Sequence, residues 1–288
     1  NTEMYTVSLM YKLTVVTDQP AAPLLSSSKF AHTHTHIYID RQIPVKMSQA
    51  TLYSIILPTY NEKENLPIII YLIDEVFDAN HLNYEVIVIE DNSPDGTADV
   101  FKKLQKIYGD KKLRMVQRAG KLGLGTAYIE GLRHAGGEFV VLMDADLSHH
   151  PKFLPEFIRR QREGNFDIVT GNRYTAGGGV AGWDLKRRLV SKGANFLAHF
   201  LLSPRVTDLT GSFRLYRKET LRTILLAEDF CSTGFTFQME VIVRAEKLGF
   251  TVSEVPITFV DRIYGASKFG AQEITQYLKG LLVLFFNI

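Results

Sequence analysis

The chain has 288 residues, 45% of them hydrophobic and 22% charged, which is ample material for a core and excludes bulk disorder. That length suits one large domain or two small ones, and a formal charge of +2 is too small to argue for nucleic acid as a partner, where a basic stripe would be expected. Cys231 is the only cysteine, so an intramolecular disulfide and a cysteine-rich zinc site are both excluded, and a reducing compartment fits best.

Residues 1–46 differ from the rest. They carry scattered apolar residues, a serine run at 26–28, and the alternating His32, His34 and His36. Three histidines at period two share one face of a strand and could bind a metal, but nothing else in the segment converges on them. The simpler reading is an extension that is disordered or poorly packed. Met47 stands just before the first strong strand, so an ordered domain is expected over 47–288. Polar residues 17–19 and Pro20 break any apolar signal core. No run approaches the ~20 apolar residues that span a bilayer as a helix; the longest candidate, residues 281–286, is far too short, and no transmembrane anchor is expected.

From there a βαβ rhythm is legible. Residues 53–57 form a short apolar strand that stops at Pro58. Asn65 can cap a helix whose first turn tolerates Pro67 and which runs over 68–77. The β-branched run 84–89 suits a strand buried on both faces. Asp91-Asn-Ser-Pro-Asp-Gly-Thr97 then makes a turn, with Gly96 supplying the unusual dihedral, and a helix follows over 98–108. A third strand at 113–117 leads through the glycine-bearing loop 120–125 into a helix over 126–135, stopped by Gly136 and Gly137. Residues 139–143 form a fourth buried strand, ending at Asp144-Ala-Asp146.

Strands alternating with helices predict an α/β fold: an open, mostly parallel, Rossmann-like sheet with helices on both faces and right-handed crossovers. The second half mixes elements, with strands at 166–170, 213–216 and 252–260, a loop at 171–182, and helices at 185–202 and 239–248. Ligands on such sheets bind beyond the carboxyl ends of the strands, and the sharpest motifs follow Leu57, Ile89 and Met143.

Asp144 and Asp146 are costly to hold side by side at the end of a buried strand, because like charges raise each other's pKa. A bound Mg2+ or Mn2+ removes the conflict, and such ions take one or two carboxylates plus substrate phosphates. The plainer alternative is a solvated turn in which one aspartate caps the next helix. Asp91 lies where a nucleoside would fit, or it simply initiates its turn. After the first strand, Tyr60 could stack on a base and Glu62 could accept from a ribose. Arg173, Arg187, Arg188, Arg262 and Lys268 lie in or beside Gly- or Ser-containing segments and suit phosphate, although each alone reads as readily as a solvated charge. A dinucleotide fold would want Gly-x-Gly-x-x-Gly after its first strand; Pro58-Thr-Tyr60 stands there instead. A Walker-type phosphate loop is absent.

With these motifs in place, the sequence resembles the inverting glycosyltransferases of the GT-A fold, and among them the catalytic subunits of the dolichyl-phosphate mannosyltransferase family. The matching segments are Leu57-Pro-Thr-Tyr-Asn-Glu62, Asp91-Asn-Ser-Pro-Asp-Gly-Thr97, Lys121-Leu-Gly-Leu-Gly-Thr-Ala127 and Met143-Asp-Ala-Asp-Leu-Ser-His-His-Pro151. They continue with Gly171-Asn-Arg-Tyr174, Trp183-Asp-Leu-Lys-Arg187, Ser191-Lys-Gly-Ala-Asn195, Asp208-Leu-Thr-Gly-Ser-Phe-Arg-Leu-Tyr216, and Val260-Asp-Arg262 through Ser267-Lys268. The likeness runs from about Leu52 to the C-terminus and leaves out residues 1–46.

The resemblance implies GDP-mannose as donor, dolichyl phosphate as acceptor and inversion at the sugar. The product would be dolichyl β-D-mannosyl phosphate, the lipid-linked mannose donor for N-glycan, O-mannosyl and GPI-anchor synthesis. By the same analogy Pro58, Tyr60, Glu62, Ile89 and Asp91 would hold the nucleoside, and Asp144, Ala145 and Asp146 the metal and diphosphate. Arg173, Arg262 and Lys268 would face phosphates, and Arg187 with Ser191 would meet the acceptor phosphate. Relatives without a spanning helix depend on small membrane-anchoring subunits, which implies a peripheral place on the cytoplasmic face of the endoplasmic reticulum membrane. Residues 280–288 could touch lipid or such a subunit, or could simply end a core-packed helix.

Two departures stand out. Glu90 occupies a position where many relatives carry aspartate, and Ser148 one where some carry a metal-binding glutamine, which leaves a third protein ligand open. Physical reasoning alone also admits glucosyl transfer from UDP-glucose, a catalytically silent nucleotide-binding subunit, or a nucleotidyltransferase.

Overall fold

The computed structural model describes residues 51–227, 230, 232, 234, 236–262, 264 and 271–287; the extension 1–46, Cys231 and Lys268 lie outside the described residues. Apolar strands and amphipathic helices alternate through the first half: β1 (Leu52–Thr59), α1 (Asn65–Ala79), β2 (Asn83–Glu90), α2 (Thr97–Tyr108), β3 (Leu113–Gln117), α3 (Leu124–His134) and β4 (Phe139–Leu142). A short 3-10 turn, Pro151–Phe153, leads into α4 (Leu154–Gly164), followed by β5 (Ile168–Asn172), β6 (Gly179–Ala181) and α5 (Leu185–Leu202). The rest comprises β7 (Arg214–Arg217), α6 (Lys218–Leu225), α7 (Phe237–Lys247), β8 (Val252–Pro256), β9 (Thr258–Val260) and α8 (Ala271–Asn287).

Seven strands form one sheet in the order β3-β2-β1-β4-β7-β5-β8. All pairings in it are parallel except those of β7, which runs antiparallel between β4 and β5. The predicted α/β sheet, mostly parallel with helices on both faces, is therefore observed. Alternation along the strands feeds two cores. On one face Ile55, Leu57, Val86, Val88 and Val141 pack against α1, α2 and α4. On the other, Ile56, Ile87, Ile89, Val140 and Leu142 pack against α3, α6, α7 and α8.

Several expectations needed revision. Asn65 does not cap α1: it is the first helical residue, the N-cap position is Glu64, and the Asn65 Nδ2 donates to Glu62 Oε2 at 2.6 Å. The strand predicted over 252–260 is two strands broken at Ile257, because β8 pairs with β5 while β9 pairs with β6 in a separate two-stranded sheet. The loop after β5 thus contains a strand. β1 runs on through Pro58, and it can do so because β4 stops pairing at Ile56. The Ile56 carbonyl accepts from Met143 on the β4 side, so two residues later the proline's missing N–H faces the side β4 has left. Gly96 does take the left-handed conformation, with φ 92°. Among the described residues no helix is long and apolar enough to cross a membrane.

Candidate functional site

The loops at the carboxyl ends of β1 and β2 are stitched to one another. Backbone amides of Asn61, Glu62 and Lys63 donate to Ser93 Oγ, Thr97 Oγ1 and Asp95 Oδ2, at 3.0, 3.1 and 3.1 Å. Burial alone would raise the Asp95 carboxyl, but hydrogen bonds from Thr97 and Lys63 outweigh it and hold the group below its usual range. Glu90, in the position noted for aspartate in relatives, is fully buried and closes the next turn by accepting the amides of Asn92 and Ser93. Asn61, Asn92 and Leu147 all have positive φ. For a leucine that is unusual backbone, and it lies one residue past Asp146.

Asp91 is gripped in a fork by Arg118, with Nε to Oδ1 at 2.6 Å and Nη2 to Oδ2 at 2.7 Å. Both side chains are nearly buried, and Arg118 also donates to Thr126 at the start of α3. Lys121 Nζ stands 4.8 Å from the centre of the Tyr60 ring. Glu62, Ile89 and Ala145 are buried and Pro58 half-buried.

A cavity of about 410 Å³ lies beyond β4, β5 and β7. It brings together Asp144, Asp146, Arg173, Arg187, Ser191 and Arg262. Pro58, Tyr60, Glu62, Ile89, Asp91 and Ala145 do not line it; the first five gather at the adjoining ends of β1 and β2 instead.

Each carboxylate and guanidinium that the sequence picked out in the cavity has partners within the protein, and all but Asp144 have one of opposite charge among the described residues. Asp144 accepts from Ser212 Oγ at 3.1 Å and Tyr128 OH at 3.4 Å. Burial first, and Asp144 second, push the Tyr128 phenol well above its ordinary pKa, which keeps it a donor. The backbone amide of Asp144 donates to His149 Nδ1 at 3.1 Å. His149 is itself buried, stacks on Phe213 and meets Phe259 edge-on. Burial lowers the His149 pKa, in keeping with a neutral ring accepting at Nδ1. Asp146 Oδ1 accepts the Ser148 amide and hydroxyl at 3.1 and 2.6 Å, while Oδ2 accepts from Arg262 Nη2 at 2.7 Å. Neither aspartate caps a helix; His150 caps the 3-10 turn.

Arg173 forks onto Asp208, at 2.7 Å from both Nε and Nη2, and also donates to Thr210. Burial opposes both charges of this pair, yet each partner's field prevails, holding the Asp208 carboxyl low and the Arg173 guanidinium high. Arg187 pairs with Asp261 at 2.9 Å and lies 4.4 Å over the Trp183 ring. Ser191 shares a 2.7 Å hydrogen bond with the Tyr174 hydroxyl. Arg188 is exposed and donates to the Val180 carbonyl, outside the cavity lining. Two cavity-lining side chains carry buried polar atoms without a partner among the described residues, Trp183 at Nε1 and Gln238 at both amide atoms.

Sequence reasoning assigned no role to Arg118, Tyr128 or Gln238. Arg118 could have been found: it stands one residue beyond β3, at the same strand-end level as the other motifs. Tyr128 and Gln238 sit inside helices and carry no comparable local signal.

A family model for glycosyl transferase family 2 matches residues 54–225. The chain belongs to that family. It is a glycosyltransferase. It is 39% identical over 236 residues to the polyprenol monophosphomannose synthase of Mycolicibacterium smegmatis, covering 81% of this chain and 85% of that protein. It is 37% identical over 230 residues to the dolichol-phosphate mannosyltransferase of Pyrococcus furiosus, covering 78% of this chain and 61% of that one. Among solved structures, glucosyl-3-phosphoglycerate synthase from Mycobacterium tuberculosis with Mn2+, UDP and phosphoglyceric acid superposes with a TM-score of 0.62 at 19% identity, over 82% of this chain and 79% of that one. At that identity the likeness concerns the fold, which is of the GT-A kind.

The Asp144/Asp146 pair suits a divalent cation in its chemistry. Both groups offer hard oxygen donors, as Mg2+ and Mn2+ prefer. No cluster of three or more His, Cys, Asp or Glu able to hold a metal occurs among the described residues, so the rest of the coordination would fall to substrate phosphates and water.

Proposed function

We propose that this glycosyltransferase moves mannose from GDP-mannose to dolichyl phosphate with inversion, giving dolichyl β-D-mannosyl phosphate and GDP. The observation that supports it most is the one cavity in which two carboxylates stand beside three arginines, lined in part by helices that also present apolar surface. The names of the relatives, a polyprenol monophosphomannose synthase and a dolichol-phosphate mannosyltransferase, agree with a sugar donor and a lipid-phosphate acceptor.

Asp144 and Asp146 would hold Mg2+ or Mn2+, which when bound neutralises the diphosphate as it leaves. Pro58, Tyr60, Glu62, Ile89 and Asp91 would seat the nucleoside, with Arg118 fixing the Asp91 carboxylate. Arg173, Arg262 and Lys268 would face the donor phosphates; Arg187 and Ser191 would orient the acceptor phosphate. An acceptor phosphate oxygen is already anionic, so it attacks the anomeric carbon without a strong base. The new C–O bond forms as the bond to the diphosphate breaks on the opposite side. The residues' work is alignment and charge stabilisation.

The acceptor's membrane setting agrees with α5 and α8. Leu185, Leu189, Phe196 and Phe200 form one exposed stripe on α5, and Leu282, Val283, Phe285 and Phe286 are exposed on α8. Val190, Ala194 and Leu197 on α5, with Tyr277 and Leu278 on α8, line the cavity. The C-terminal segment is thus divided: Leu281 and Leu284 belong to the core while their neighbours face outward. Gly280 allows the close approach, because a Cβ there would come within 2.2 Å of Thr236. Such a surface suits peripheral attachment to the cytoplasmic face of the endoplasmic reticulum membrane, directly or through small anchoring subunits.

The test is transfer from GDP-mannose to dolichyl phosphate in vesicles, with anchoring subunits supplied, under Mg2+, Mn2+ or chelator, with UDP-glucose in parallel. Metal-dependent mannosyl transfer is expected. Absence of mannosyl transfer under both metals, or transfer from UDP-glucose instead, refutes the proposal.

A further inference from the structure

We infer that Gln238 reads the hydroxyl groups of the transferred sugar, a specificity-determining contact with the hexose of the donor. The inference rests on the sugar-transfer reading of the cavity and adds a residue to it.

Gln238 stands in the first turn of α7, is 2% exposed and lines the cavity beside Asp144 and Ser212. Its Oε1 and Nε2 both lack a hydrogen-bond partner among the described residues. A primary amide carries two donor hydrogens and an acceptor oxygen, and the large majority of such groups find partners when buried. To leave the whole amide unmet is costly. A ligand in the cavity would meet that need.

The amide's anchor is well fixed. The Gln238 carbonyl accepts from Arg214 Nη1 at 2.6 Å. Arg214 is fully buried and is held in turn by Thr170 and the Leu209 carbonyl. A side chain based on such a network is pre-organised for recognition.

The choice of ligand group follows from what else lines the cavity. Phosphate oxygens are matched by Arg173, Arg187 and Arg262, which carry full charges. A neutral amide adds little there. It can instead accept from one hydroxyl while donating to its neighbour, the pairing that adjacent hydroxyls of a pyranose ring present. Trp183, the other lining residue with an unmet atom, does not compete for this role, since its indole can only donate.

The test compares the full chain with Gln238→Met, which keeps length and loses every hydrogen bond. Dissociation constants are measured with Mg2+ for GDP, GDP-mannose, UDP and UDP-glucose, alongside thermal unfolding. The ratio of nucleotide to nucleotide-sugar affinity is expected to change by about tenfold or more against the sugar, the size of a lost hydrogen bond or two. Affinity for the bare nucleotide should stay within about twofold, and Tm should hold or rise because an unmet buried amide is gone. An unchanged ratio for both pairs overturns the inference and assigns the amide to bound water. A loss confined to the UDP-glucose pair keeps Gln238 as the sugar reader and removes mannose as the sugar. Normal mannosyl transfer with an unchanged ratio does the reverse. Should Gln238→Met not fold, Gln238→Asn withdraws the amide by one methylene and gives the same readout. Failure of both to fold overturns the inference too, because it reveals a structural role.

Discussion

Replacing Asp146 with asparagine distinguishes a substrate-handling carboxylate from a structural one. In the fold Asp146 accepts two hydrogen bonds from Ser148 and one from Arg262. Asparagine keeps one oxygen, which can stay with Ser148, but turns an amide N–H toward the guanidinium. The side chains of Asp146 and Arg262 are 11% and 18% exposed, so Arg262 can turn partly toward water. The folding cost is then that of one charge-assisted hydrogen bond, about 1.5–3 kcal/mol. For a domain of this size it lowers Tm by about 3–12 °C. On the proposed metal role transfer should suffer more, because half of the carboxylate charge that would hold the cation is lost: about 4 kcal/mol of barrier, or roughly a thousandfold in kcat. The assay is initial-rate mannosyl transfer at saturating substrates, beside thermal unfolding of the same preparations. A kcat reduced by less than about tenfold, with a Tm loss above about 12 °C, refutes the reasoning and makes Asp146 a structural residue.

Asp208→Asn should show the opposite balance. It strips a fully buried partner from Arg173 and should cost about 3–5 kcal/mol in denaturant unfolding, with most of it recovered in the Arg173→Met/Asp208→Leu double variant. His150 provides a pH test. Burial, aided by the charge of Lys152, lowers its pKa to about 4, while its Nδ1 accepts the Lys152 amide. The folded state refuses a proton that the unfolded chain takes below pH ~6.5, so stability falls as pH drops from there to 4, by up to about 3 kcal/mol. Unfolding at pH 7 and 4.5 measures it, and His150→Asn should flatten the slope. Phe196→Ser with Phe200→Ser removes two rings that are 73% and 74% exposed. Tm should hold, while transfer to vesicle-held acceptor falls about tenfold or more and transfer to a short soluble acceptor does not.

Much of the first half was legible because β1, β2 and β4 are buried on both faces and read as largely apolar runs. β3 and α5 fall where the pattern puts them. Pairing direction is a different matter. Nothing in Arg214–Arg217 says that the strand runs antiparallel or lies between β4 and β5, because that depends on partners far away in sequence. The break at Ile257 was hidden for the same reason: the two halves of the predicted strand pair with different strands. At the site, strand-end logic picked out Asp91, Asp144 and Asp146, but not which side chains pair with them, and it reached Arg262 only as a candidate phosphate contact. Arg118, Ser212 and Arg262 lie 27, 68 and 116 residues away from them, beyond the reach of local periodicity.

The reversed strand in the middle of the sheet also bears on how the chain is made. β4 gains its second neighbour, and β5 its first, only when β7 has emerged, so from residue 142 to residue 217 the growing sheet has an open apolar edge. At about 5–20 residues per second, those 217 − 142 = 75 residues correspond to about 4–15 s of exposure. A nascent chain stalled within that interval would display the free edge of β4, and β5 as a whole, as templates for other strands. Ribosome-bound chains ending near residue 200 should therefore recruit chaperones more strongly than the released full chain, in which β7, β8 and β9 are all available.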